Sequence, residues 1–251
     1  MRTARQWTAI ALLLVAALAS APLGAQQAAP AASAPPANLS LRVAASPLAP
    51  DALLDPEAPA WAQVAARTVA LNRTPPLYDT DPPAAMEIPQ VEVRVARAGG
   101  KLLVHLAWRD STQDVAALAP LPQTPPEQRE RKEQTVAPER FYDAAAVMFP
   151  AHPSGGALSP SLQMGDPQQS VTIYYWNAAR GAMLMEAQGR GTTRRTGQGF
   201  PARGVYRAGV WRVTLELPDL PAGVPLAFAV WNGSQQDRDG RKYFSVWHWL
   251  E

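Results

Sequence analysis

Eight short segments of alternating polarity, set between glycine and proline signals, constrain this chain more than any other feature. They run over 40–46, 91–97, 101–110, 171–179, 182–188, 210–218, 225–233 and 242–250. A period of two puts the apolar side chains on one face of an extended chain, so each segment reads as a strand. Ala98-Gly99-Gly100 and Arg207-Ala208-Gly209 stand where hairpin turns are needed. Past the first residues no long segment keeps a helical period, although 60–71 fits a helix or a strand. The fold class expected is all-β, a two-layer antiparallel β-sandwich with a few short helices in long loops. Two connections are long for such a fold, 76–89 and 111–140, and their proline and charge suit a lid, a docking surface or neither.

The amino terminus has a different logic. Arg2 and Arg5 precede an apolar stretch too short to span a bilayer comfortably, and small residues follow it. We expect a secretory signal peptide over 1–25, cut after Ala25, a Pro/Ala-rich linker over 26–37, and one domain over 38–251. That places the protein in the periplasm, with no membrane span in the mature form. The formal net charge of +2 includes Arg2 and Arg5, so the mature chain sits at 2 − 2 = 0 and gives no argument for a nucleic-acid partner. The chain has no cysteine, which excludes disulfides, covalent c-type haem attachment, iron–sulfur ligation and thiolate zinc sites.

Few residues remain to carry chemistry. His105, His152 and His248 stand at unrelated positions, and the two inside strand patterns read as structural. No nucleophile elbow, phosphate-cradling glycine loop or HExxH is present. The basic residues are overwhelmingly arginine, with lysine at only Lys101, Lys132 and Lys242. Lys242 follows the turn QQDRDGR at the mouth of the last strand, and on spacing alone it reads as a snorkelling surface lysine. Met148, Met183 and Met185 read as core packing. Met164, in SLQMGDP between a loop and the strand VTIYYWN, is better placed to point its thioether at a bound group.

Several runs are similar to a known family. FYDAAAVMFP, LQMGDPQQSVTIYYWNA and PLAFAVWNGSQQDRDGRKYFSVWHWLE resemble the haem-binding gamma subunit of ethylbenzene dehydrogenase. Related subunits serve dimethylsulfide dehydrogenase and the selenate and chlorate reductases, molybdenum enzymes of the dimethylsulfoxide reductase superfamily. The shared pattern is W-x-D-S/T (Trp108 to Ser111), F-x-D-A before F-P, M-G-x-P, then W-[DN]-G and R-[DN]-G-x-K-x-x-S-x-W. The resemblance implies a b-type haem whose iron is held by the methionine of M-G-x-P, Met164, and the lysine of R-[DN]-G-x-K, Lys242. It implies a non-catalytic electron-transfer subunit, partnered by a molybdenum catalytic subunit, an iron–sulfur subunit and a soluble cytochrome. It leaves the residues that meet the haem propionates unassigned; Arg238 and Arg241 are near the lysine in sequence only. Trp176, Trp231 and Trp247 suit either pocket lining or core packing. Two other functions fit the sequence: a stand-alone haem-binding cytochrome or sensor, and a cofactor-free carbohydrate-binding module with Trp176 and Trp231 in an exposed row.

Overall fold

A computed structural model describes residues 37–75, 85–115, 141–153, 159–197 and 199–251. The signal peptide with Ala25, residues 26–36 of the linker, Lys132 and most of the 76–89 and 111–140 connections lie outside the described residues. The strands are β1 (Ser40–Leu41), β2 (Val43–Ala45), β3 (Arg67–Ala70), β4 (Asn72–Arg73), β5 (Gln90–Ala98), β6 (Lys101–Arg109), β7 (Ala144–Pro150) and β8 (Val171–Asn177). They continue as β9 (Gly181–Ala187), β10 (Arg194–Arg195), β11 (Ala202–Arg207), β12 (Val210–Pro218), β13 (Pro225–Trp231), β14 (Tyr243–Phe244) and β15 (His248–Leu250).

Two sheets result. In one the order is β1-β15-β13-β7-β8-β9-β10, with β14 bridging β13 and β4; in the other it is β11-β12-β6-β5-β2, with β3 also on β5. The fold is the expected all-β sandwich, with one departure from antiparallel pairing. The segment 40–46 divides between the sheets: β1 runs parallel to β15 and β2 parallel to β5. Between the sheets lies the main core, where Val93, Val95, Val104, Leu106, Val213 and Leu215 meet Val147, Phe149, Phe228 and Val230. A second layer, helix α1 (Pro50–Leu54) and the 3-10 turn Pro59–Gln63, covers the far face of the second sheet through Leu53 and Trp61.

Two of the longer strands, β7 and β11, stand outside the segments singled out by alternation. β7 is central and apolar on both faces, so its sequence AAAVMFP carries no period of two. β11 alternates only weakly, and Gly204 within it makes room for Trp176, whose ring would lie 2.2 Å from a Cβ at that position. Trp176 therefore packs inside, edge-on to Trp211 with ring centroids 5.3 Å apart.

Three motif residues turn out to hold this end of the sandwich together. Asp143, fully buried, accepts hydrogen bonds from the Asp114 amide (2.7 Å), the Trp211 indole (2.9 Å) and the Gly233 amide (2.9 Å). Asp110 accepts from the amide and hydroxyl of Thr112 through one oxygen, while its Oδ2 has no partner among the described residues. Burial, and next the Asp143 charge, push the Asp110 carboxyl up to about 7.

A carboxyl that holds its proton more tightly folded than unfolded contributes stability below the unfolded pKa and loses it as pH rises. The loss here falls between about pH 4 and pH 7 and amounts to at most about 4 kcal/mol. Asp110→Asn keeps the acceptor for Thr112 and cannot ionise. Its melting temperature should therefore vary less over that interval than that of the wild type, and parallel curves for the two proteins would contradict this.

Candidate functional site

The outer face of the first sheet has a floor of small side chains. Along β13, Leu226, Phe228 and Val230 point into the main core, while Ala227 and Ala229 point outward. Ala146 of β7 and Ile173 of β8 extend that outward surface. Alanine leaves room above a sheet, and here the room is an apolar cavity of about 40 Å³. Its rim brings together Met148, Leu162, Met164, Trp231, Lys242 and Phe244.

Met164 arrives on a tightly tied loop. The Gly165 amide donates to the Ser161 carbonyl (2.8 Å), and the Gly189 amide donates to the carbonyl of Met164 itself (2.8 Å). Asp166 accepts from the amides of Gln168 and Gln169, and the Trp247 indole donates to the Pro160 carbonyl (2.9 Å). Held this way, Met164 has φ of +72°. A non-glycine residue in the left-handed region costs energy that its surroundings must supply, and such positions concentrate at functional sites.

Lys242 arrives from the other side. The Thr74 hydroxyl accepts from the Lys242 amide (2.7 Å) and donates to its carbonyl (2.7 Å), and the Thr74 amide donates to the same carbonyl (3.0 Å). Behind this clamp the Arg73 guanidinium pairs with Asp237 through two hydrogen bonds of 2.6 and 2.5 Å, the two side chains being 4% and 0% exposed. Arg241 also approaches Asp237 at 3.4 Å, and Arg73 lies over the Tyr243 ring at 4.3 Å. Breaking a buried pair of this kind costs about 3–5 kcal/mol, so the lysine stands on a rigid base.

The two side chains meet: Lys242 Nζ lies 3.7 Å from Met164 Sδ and 5.5 Å from the Trp231 ring centroid. Burial pushes the amine below its ordinary value of 10.5; Asp239 opposes that shift and Arg190 adds to it. Lys242 thus faces the cavity and does not snorkel to the surface, contrary to what spacing alone suggests. Met148 packs, as expected, against a buried apolar cluster, and from β7 it also lines this cavity.

Other residues singled out in the sequence lie elsewhere. Trp231 lines the cavity and Trp247 ties its loop, whereas Trp176 belongs to the main core. At 6% and 8% exposure, Trp176 and Trp231 form no exposed row. Arg238 lies over the Phe141 ring at 4.9 Å, and Arg241 belongs to the Asp237 network. His105 packs against Trp61, the rings tilted with centroids 5.0 Å apart, with its Nε2 3.1 Å from the Pro56 carbonyl, and burial lowers its pKa to about 4. His248 likewise faces the Val246 carbonyl at 3.0 Å. Among the described residues no group of three or more histidine and carboxylate side chains is placed to hold a metal ion. Thr74 and the outward alanines escape sequence reasoning; the large–small alternation of LAFAV in β13 is the signal that reveals the latter.

Comparison with known proteins agrees on the lineage. The family model described as ethylbenzene dehydrogenase matches residues 58–214, a span that contains Met164 and ends before Lys242. A putative respiratory nitrate reductase heme subunit from Haloferax mediterranei is 30% identical over 215 residues, covering 81% of this chain and 70% of the relative. Chlorate reductase subunit gamma from Ideonella dechloratans is 28% identical over 64% of this chain and 63% of its own length. Dimethylsulfide dehydrogenase subunit gamma from Rhodovulum sulfidophilum is 28% identical over 78% of this chain and 73% of its own length. With a family model spanning more than half of the chain and relatives that are gamma or heme subunits by name, this protein belongs to the ethylbenzene dehydrogenase family of gamma-type subunits.

Proposed function

We propose that this protein is a non-catalytic electron-transfer subunit that holds a b-type haem in the cavity over β7, β8 and β13, with Met164 and Lys242 as the axial ligands. The observation that carries the reading is the meeting, at 3.7 Å, of a thioether and a buried amine from loops 78 residues apart, at the rim of an apolar cavity. The donor set suits a haem iron. A thioether is a soft neutral ligand, and a lysine amine has a lone pair to offer only when it is uncharged, which is the form that burial favours. Arginine in the same place would stay protonated. A floor of alanines suits the face of a flat ring, and the absence of cysteine supports attachment through ligands alone. When bound, an iron with both axial positions filled supplies single-electron transfer and has no position open to substrate.

The names of the relatives, which are subunits of reductases and a dehydrogenase, support a place in an oxidoreductase complex. On this reading a molybdenum catalytic subunit and an iron–sulfur subunit stand on one side of the haem and a soluble cytochrome on the other, in the periplasm, after removal of residues 1–25. Purified after export, the protein should show a low-spin b-type absorption spectrum and reversible one-electron reduction. A protein that gives no bands beyond those of free haem after reconstitution would refute the proposal.

A further inference from the structure

We infer that Arg190 anchors the haem carboxylates at the rim of the cavity, an inference that rests on the haem reading above. Among the described residues no charged side chain lines the cavity apart from Lys242, which that reading uses as a ligand. A carboxylate is not buried against such a surface unpaired, so the acidic edge of the group lies at the open rim, where water or a cation outside the cavity meets it.

Arg190 meets three requirements for that cation. Its position is built: the Gln188 amide donates to the Thr192 hydroxyl (2.8 Å), and that hydroxyl donates to the Gly189 carbonyl (2.7 Å), closing a turn around the arginine. The turn is fastened to the site, because the Gly189 amide donates to the Met164 carbonyl at 2.8 Å. The guanidinium is also available, since Arg190 is exposed and has no ion-pair, hydrogen-bond or ring partner among the described residues.

The neighbouring cations are engaged. Arg73 and Arg241 serve Asp237, Arg238 lies over Phe141, Arg180 lies over Tyr142 and Arg194 pairs with Glu186. Arg190 and Asp239 are the charged groups that act on the Lys242 amine, which puts the arginine within electrostatic reach of the same site. A planar guanidinium matches a carboxylate with two parallel hydrogen bonds, and the pair orients its partner as well as holding it.

Haem dimethyl ester, in which both carboxylates are masked, separates this role from ligation. The haem-free full chain and its Arg190→Gln variant are titrated with haem and with the ester. The wild type should prefer haem by about tenfold, the worth of one charge-assisted hydrogen bond. Arg190→Gln should lose that preference with its affinity for the ester and its low-spin spectrum unchanged, and Arg190→Lys should regain part of it. A variant that keeps the wild-type preference, or a wild type that binds both forms equally, overturns the assignment while leaving the ligand pair standing. A wild type that binds neither form overturns the haem reading and this assignment with it.

Discussion

Lys242→Leu should lower haem affinity at least tenfold and turn the low-spin spectrum into that of an iron with one axial ligand, yet leave the haem-free protein as stable as the wild type or more so. The two halves of that expectation come from one fact. Burial disfavours the ammonium form of Lys242, so in the haem-free fold the lysine is a liability that an apolar side chain removes. As a ligand the same amine fills a coordination position, and supporting groups outside the ligand set are themselves worth about 10- to 100-fold in metal affinity. Lys242→Arg should fail like Lys242→Leu, because a guanidinium does not deprotonate. Met164→Ala should likewise lose the low-spin bands. Spectra recorded alongside thermal melts of the haem-free proteins check both halves. Unchanged bands in Lys242→Leu and Met164→Ala would remove the ligand pair.

How far the site is legible in the sequence depends on which half is considered. Met164 stands out because methionine is unusual in a Gly/Pro loop, and Lys242 because lysine is scarce in an arginine-rich chain. Their pairing comes from the family pattern, since nothing in the spacing of residues 164 and 242 brings two loops together. The loops converge through contacts that are invisible in sequence. Thr74 clamps the lysine backbone from 168 residues away, and Trp247 reaches the Pro160 carbonyl across 87 residues. These are hydrogen bonds between distant segments, and no periodicity announces them.

The fold divides along a similar line. β5, β6, β8, β9, β12 and β13 match the alternating segments to within two residues at either end. β7 carries no alternation because it is covered on both faces, by the main core and by the site. The last segment, 242–250, is continuous in pattern but split in structure. β14 and β15 both pair with β13, and Ser245 between them accepts the Phe228 amide at 2.9 Å, interrupting the ladder. That interruption lets the chain leave the sheet edge beside the cavity, so the local departure from regular pairing coincides with the site.

Gly233→Ala should be among the most damaging single-methyl additions in the molecule, and the reason lies in a node shared by two of the sequence motifs. A Cβ on Gly233 would lie 2.2 Å from the Phe141 carbonyl oxygen and 2.5 Å from the Asp114 Cβ. The first of these is backbone and cannot swing aside, so the Gly233 segment must move. Its amide donates to Asp143, whose carboxyl is fully buried and depends on that bond together with those from Trp211 and Asp114. Overpacking costs about 1–3 kcal/mol, and weakening a buried hydrogen bond to a charged group adds about 1.5–3 kcal/mol. The expected loss of about 3–5 kcal/mol is a large part of the stability of a domain this size. It corresponds to a fall of roughly 10 °C in melting temperature. Asp143→Asn in the same background separates the causes. Because the neutral amide tolerates a lost donor better than a buried carboxylate does, the added cost of Gly233→Ala should shrink in Asp143→Asn at pH 8. A Gly233→Ala protein that melts within about 2 °C of the wild type would show that the node yields, and the F-x-D-A and W-N-G motifs would then need another explanation than the bond between them.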